Sequence, residues 1–142
     1  MWNRMIQREQ EKTQESACTI LLVDDNAIQA ATRQTILKRA GYFVIAALDP
    51  ARALDQIRGE GYPSNISLVI TDHIMPGMNG SQFVTELRKS HPHLPVIVVS
   101  GLEEAEAEYA DLGVRFLLKP LPPDQLLSNI HAVLMQQHKG AA

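Results

Sequence analysis

The sequence predicts an α/β fold: a three-layer, doubly wound sandwich in which one five-stranded parallel sheet carries helices on both faces. Two observations lead there. Short β-branched or leucine-rich runs alternate strictly with longer stretches of helical periodicity. The runs are also uniformly apolar, as strands buried on both faces are. A helical crossover between successive strands makes them parallel, and right-handed connections put helices on both sides. Five such repeats are too few for an eight-fold barrel.

Along the chain, strands are expected at 19–23, 43–46, 68–71, 96–99 and 115–118, each short enough to cross a sheet once. The first helix, 27–40, ends at Gly41, and the second, 51–58, starts after Asp49-Pro50 and ends at Gly59. The third, 81–90, stops before Pro92, and the fourth, 103–112, stops at Gly113. The fifth, 123–137, opens at Pro122-Pro123. Residues 18–138 make the domain, between a leader, 1–17, and a short tail, 139–142. Within the leader, Met1/Met5 and Trp2/Ile6 fall at i,i+4 spacing, so an amphipathic turn could dock on the domain or on a second copy; a frayed leader is the alternative.

Composition narrows the function. With 142 residues, 45% of them hydrophobic, the chain can bury the core of one domain. Thirteen Lys+Arg against sixteen Asp+Glu give a net charge of -3, and no dense basic cluster offers a phosphate-neutralising face, so direct nucleic-acid binding is not expected. The longest apolar runs, such as 96–99, fall far short of the roughly 20 residues that cross a bilayer, and no signal peptide is evident, so a cytoplasmic protein is expected. A lone cysteine, Cys18, has no partner for an internal disulfide or a zinc site and is expected to be buried at a strand edge.

In an open parallel sheet, ligands bind at the carboxyl ends of the strands, near the switch in strand order. The first strand ends in Val23-Asp24-Asp25, the third in Ile70-Thr71-Asp72, the fourth in Val99-Ser100 and the fifth in Leu118-Lys119-Pro120. Three carboxylates, a hydroxyl and an ammonium thus converge from four strand ends. Each has an ordinary reading too: an aspartate after a strand can cap the next helix, Asp72 can close a turn into Pro76-Gly77, and Ser100-Gly101 can be loop punctuation. Lys119, at a buried strand end, calls for a carboxylate partner. Three crowded carboxylates raise one another's pKa unless a cation joins them. Magnesium suits hard oxygen donors and works beside phosphoryl groups, and a carboxylate next to it can attack a phosphoryl donor.

These residues resemble the receiver domain of two-component response regulators. The resemblance runs from about Thr19 to Gln137 and is carried by Asp24-Asp25, the segment from Thr71-Asp72-His73-Ile74 through Met75-Pro76-Gly77-Met78-Asn79-Gly80, Ser100, and Lys119-Pro120. It implies a flavodoxin-like sheet and makes Asp72 the phosphoacceptor for a histidine kinase or a histidine phosphotransfer protein. It implies Mg2+ held by Asp25 directly, Asp24 mainly through water, Asp72 and the backbone carbonyl of Ile74, with no organic cofactor. Lys119 would pair with Asp72 and later with a phosphoryl oxygen, behind a cis Lys119-Pro120 bond. Ser100 matches the switch hydroxyl and Phe116 the switch aromatic. The first helix, near Ala27, Ile28 and Ala31, is the expected docking face for the donor. The resemblance describes a phosphoacceptor that assists its own phosphorylation and dephosphorylation, not an enzyme acting on a separate substrate.

Three features depart from the pattern. The stretch from Ser100 to Gly113 is short and holds Glu103, Glu104, Glu106, Glu108 and Asp111 with no basic residue, so the fourth helix is expected to be short or mobile, with a solvated acidic face. Signalling or dimerisation through the face of the fourth helix, fifth strand and fifth helix is therefore not the expected mode, though a homodimer is left open. Ile74 and Leu102, two residues after Asp72 and Ser100, are apolar where a polar side chain could orient an attacking water, so slow hydrolysis of the phosphoryl group is expected. After Lys119 only 23 residues follow (142 − 119), so output through a docked partner or a phosphorelay is expected, unless the chain is part of a longer one such as a hybrid histidine kinase.

Other classes on a similar sheet fit less well. An aspartate-nucleophile phosphatase would place a second acid two residues after the first, where Asp24-Asp25-Asn26 has none. A flavin or nucleotide carrier would need a Gly- or Ser/Thr-rich phosphate cradle after the first strand, where the acidic pair repels phosphate. A pseudo-receiver that binds partners without taking phosphate remains the alternative.

Overall fold

A computed structural model describes residues 18–59, 61–62 and 65–141; the leader expected over 1–17 lies outside them. The element order is β1 (Thr19–Val23), α1 (Ala27–Arg39), β2 (Phe43–Ala47), α2 (Pro50–Arg58), β3 (Ile66–Asp72), α3 (Gly80–Ser90), β4 (Val96–Ser100), a 3-10 helix (Glu103–Tyr109), β5 (Arg115–Leu118) and α4 (Pro123–Ala141). The strands form one parallel sheet in the order β2-β1-β3-β4-β5. The fold is therefore the doubly wound five-stranded sandwich expected, with the strand order reversing direction at β1 and β3.

Alternation along each strand divides the core into two layers. Leu21, Val23, Val69 and Val98 face α2, α3 and the 3-10 helix, where they meet Ala53, Phe83, Leu87 and Tyr109. Ile20, Leu22, Ile70 and Val99 face α1 and α4, where they meet Ala30, Leu37, Leu126 and Ile130. This is the period-2 consequence of the pleat. The inner strands β1 and β4 are buried throughout.

Burial on both faces does not extend to the edge strands. Phe43 in β2 is 64% exposed and Leu118 at the end of β5 is 43% exposed. Each edge strand has one neighbour and less helix over it, so its apolar character exceeds its burial. Cys18 is half-buried beside β1, and its carbonyl accepts from the Phe43 N–H.

The fourth helix is a 3-10 helix that ends at Tyr109, three residues before the expected end at 112. Its exposed face carries Glu103, Glu104, Glu106 and Glu108, whose like charges at i,i+3 and i,i+4 weaken an α-helix. No side chain caps its start, and it is anchored by buried Ala105 and Tyr109. The remaining boundaries shift by a residue or two, except that α4 continues to Ala141.

Caps settle one alternative. Asn26, not either aspartate, caps α1, accepting from the Gln29 N–H at 3.0 Å. Asp49 caps α2 and Asn79 caps α3 in a reciprocal box with Gln82. Asp24 and Asp25 are thereby left for other work.

Candidate functional site

The site lies at the carboxyl ends of β1, β3 and β5, in the crevice at the switch in strand order. Asp24 follows β1 and is fully buried, held by the Asn26 N–H, which donates to its Oδ1 at 2.9 Å. Asp72 closes β3 and is 3% exposed. Lys119 follows β5 through a backbone hydrogen bond from its N–H to the Ser100 carbonyl, and its Nζ lies 3.1 Å from Asp72 Oδ1. The Lys119-Pro120 peptide is cis.

Burial, then hydrogen bonding to the neighbouring Asp72 carboxyl, pushes the Asp24 pKa up to about 7. Two carboxyl groups withdrawn from water at adjacent strand ends need positive charge. The structure supplies it from a residue not foreseen in the sequence: Arg33, on α1, whose Nη1 stands 3.2 Å from Asp72 Oδ1 and 3.5 Å from Asp24 Oδ2. Gln29, one turn earlier, turns its amide oxygen to both cations, accepting from Arg33 Nη2 at 2.9 Å and from Lys119 Nζ at 3.0 Å. The signal was present in the helix register: Ala30, Arg33 and Leu37 share the buried stripe of α1, so a charged residue there needed a buried partner.

The three carboxylates do not all converge. Asp25 is exposed, and among the described residues no group of three or more His, Cys, Asp or Glu side chains is arranged to hold a metal ion. The cations nearest the buried pair are Arg33, on Asp24 and Asp72, and Lys119, on Asp72. The donor chemistry still suits a small hard cation: Asp24 and Asp72 offer adjacent oxygens, while Asp25 and Ile74 stand exposed at the mouth.

Ser100 is 2% exposed, and its hydroxyl is engaged locally, accepting from the Leu102 N–H at 3.0 Å. Phe116 is half-buried, its ring 5.7 Å from that of Tyr109. Tyr109 itself belongs to a second unforeseen set. Its Oη lies 2.7 Å from His73 Nδ1, and the other ring nitrogen of His73 is 3.3 Å from Glu108 Oε2. Ser81 Oγ donates to the same carboxylate at 3.1 Å. Burial, with the charges of Glu108 and Asp72, raises the Tyr109 pKa, so its hydroxyl keeps its proton. The residue after Asp72 is thus tied through Tyr109 to Phe116. Residues 36 apart in sequence give no local sign of such a contact.

The profile of the response regulator receiver domain family matches residues 20–131. Among curated proteins, the chain is 32% identical over 124 residues to the hydrogenase transcriptional regulatory protein HoxA of Cupriavidus necator, covering 84% of this chain and 24% of that protein. It is 33% identical over 125 residues to the sensor kinase CckA of Brucella abortus, covering 86% of this chain and 13% of that one. The chain therefore spans under a quarter of these relatives' length. A CheY-like receiver domain from Methanospirillum hungatei superposes with a TM-score of 0.79 at 27% identity, over 87% of this chain and 98% of that one. The CheX-CheY-BeF3-Mg2+ complex of Borrelia burgdorferi gives a TM-score of 0.74 at 25% identity, over 82% and 88% of the two chains.

A parallel sheet of this order, with an acid-lysine cluster at its switch point, is a doubly wound, flavodoxin-like fold. The chain belongs to the response regulator receiver domain family. Among the described residues, no helix is long and apolar enough to cross a membrane.

Proposed function

We propose that this chain accepts a phosphoryl group on Asp72 from the phosphohistidine of a histidine kinase or a histidine phosphotransfer protein, and that the modified form regulates a partner or passes the group on. The observation that carries the reading is Asp72 itself: a buried carboxylate at the end of β3, at the switch in strand order, held by Lys119 at 3.1 Å, in a chain of the receiver family.

A carboxylate oxygen of Asp72 attacks phosphorus, the P–N bond to the donor imidazole breaks, and the imidazole keeps the electron pair and later takes a proton. Lys119 fixes the carboxylate beforehand and pairs with a phosphoryl oxygen afterwards. Asp24, Asp25, Asp72 and the Ile74 carbonyl are the groups that would hold Mg2+, which supplies neutralising charge to the transferring oxygens. Phosphorylation adds roughly −1.5 to −2 charge and three acceptor oxygens. The Ser100 hydroxyl can then exchange its bond to the Leu102 N–H for a phosphoryl oxygen, and Phe116 can repack into the space this opens. Asp72 takes the group itself, so the chain is a phosphoacceptor and not an enzyme with a separate substrate.

Acetyl phosphate with Mg2+ tests this directly. The protein should gain about 80 Da, the mass of one phosphoryl group, and Asp72→Asn should gain nothing. A folded wild type that stays unmodified under these conditions would instead establish a pseudo-receiver that works by binding alone.

A further inference from the structure

Arg33 is a large cation, 9% exposed, in a position where helix register calls for an apolar side chain. It lies six residues into α1, about 9 Å up the helix axis. Because side chains lean back toward a helix N-terminus, its guanidinium reaches the strand ends below. There Nη1 contacts both Asp24 and Asp72, and Nη2 meets the Gln29 oxygen. Among the described residues, no buried side-chain nitrogen or oxygen lacks a hydrogen-bond partner. The buried polar atoms of the acidic pocket are therefore all matched by groups of the protein itself.

We propose that Arg33 is a resident counter-cation that competes with the divalent ion for Asp24 and Asp72. This inference rests on the phosphoacceptor reading above. A metal ligated by Asp24 and Asp72 must share two carboxylates that the guanidinium already touches at 3.5 Å and 3.2 Å. Two like charges within hydrogen-bond distance of the same oxygens repel strongly away from bulk water. Metal entry thus requires the guanidinium to withdraw from Asp24, and the chain binds Mg2+ more weakly than the same fold without the arginine. Lys119 contacts Asp72 Oδ1 as well, at 3.1 Å. Arginine suits the role because its flat fork serves both carboxylates and the Gln29 amide together, which a lysine ammonium cannot do in one geometry.

The test is a calorimetric titration of metal-stripped protein with Mg2+, comparing the wild type with Arg33→Met, whose unbranched side chain keeps the packing and drops the charge. Removing a charge-assisted competitor should tighten Mg2+ binding by about tenfold or more. Equal or weaker binding by a variant with an unchanged circular dichroism spectrum overturns the inference. A core-filling role alone would leave metal affinity unmoved. If the variant fails to fold, the wild type still answers through NMR of its arginine Nε–H groups, with Arg33 assigned by comparison with Arg33→Lys. Saturating Mg2+ should shift the Arg33 signal and speed its exchange with water, and an unmoved signal overturns the proposal. If neither folded protein takes up Mg2+, the metal itself falls from the phosphoacceptor reading and this inference goes with it. Equal uptake by both removes the inference alone.

Discussion

Gly80 is the first residue of α3, and its N–H donates to the His73 carbonyl at 2.7 Å, which draws the helix start against the end of β3. A methyl group placed there would meet the Asp72 carbonyl oxygen at 2.6 Å and His73 Cα at 3.0 Å, and would run into the Tyr109 hydroxyl. Two of these obstacles are backbone, so no rotamer change relieves Gly80→Ala. Overpacking costs about 1–3 kcal/mol and alanine returns up to about 1 kcal/mol of helix propensity, for a net loss of about 1–2 kcal/mol. The relief available is to push the end of β3 away, which moves Asp72 and breaks the His73–Tyr109 bond. A displaced reacting group should slow phosphorylation by acetyl phosphate about tenfold. Urea denaturation measures the first effect and intact-mass kinetics the second. Gly101→Ala, where a Cβ meets nothing within 4 Å, is the matched control and should be neutral or slightly stabilising. Equal urea midpoints for the two variants would show that the contact at β3 is not tight, and the reasoning would fail.

Three further outcomes follow from particular groups. Asp24 holds its proton up to about pH 7 in the folded, metal-free protein but only to about pH 4 when unfolded, so the folded state binds more protons in between. Stability should fall as pH rises across that window, and Asp24→Asn should remove that slope; an unchanged slope in chemical denaturation series would assign it elsewhere. Arg88 donates from Nε to the Leu112 carbonyl at 2.7 Å and from Nη1 and Nη2 to those of Leu94 at 2.6 Å and Gly113 at 3.2 Å. Arg88→Met leaves these carbonyls without their donor and should cost about 2–3 kcal/mol in urea denaturation, a loss below about 0.5 kcal/mol meaning that water replaces it freely. Ile74 and Leu102, both exposed at the mouth of the site, offer no group to orient water, so phosphorylated protein should keep its label for minutes or longer; loss within seconds by intact mass, with no phosphatase present, contradicts this.

The sheet was legible because its signal is local and repeated: five apolar runs with helical spacers permit few topologies. The strand-end residues were legible because topology alone carries Asp24, Asp72 and Lys119 to one edge. What stayed hidden has a common cause. Polar side chains are assigned to the surface by default, which holds for the outer face of the 3-10 helix but not for Arg33 or His73, 9% and 6% exposed. Arg33 lies nine residues from Asp24 yet reaches 39 residues onward to Asp72, so its role appears only when register and topology are taken together. His73, next to Asp72, shows no sign of its contacts in the sequence, since its partners Tyr109 and Glu108 come from an element whose acidic run reads as solvated. Both unforeseen residues make buried charge or hydrogen-bond contacts at the site. That is where local rules are expected to give way, because a group that is costly to bury is held there by partners distant in the chain.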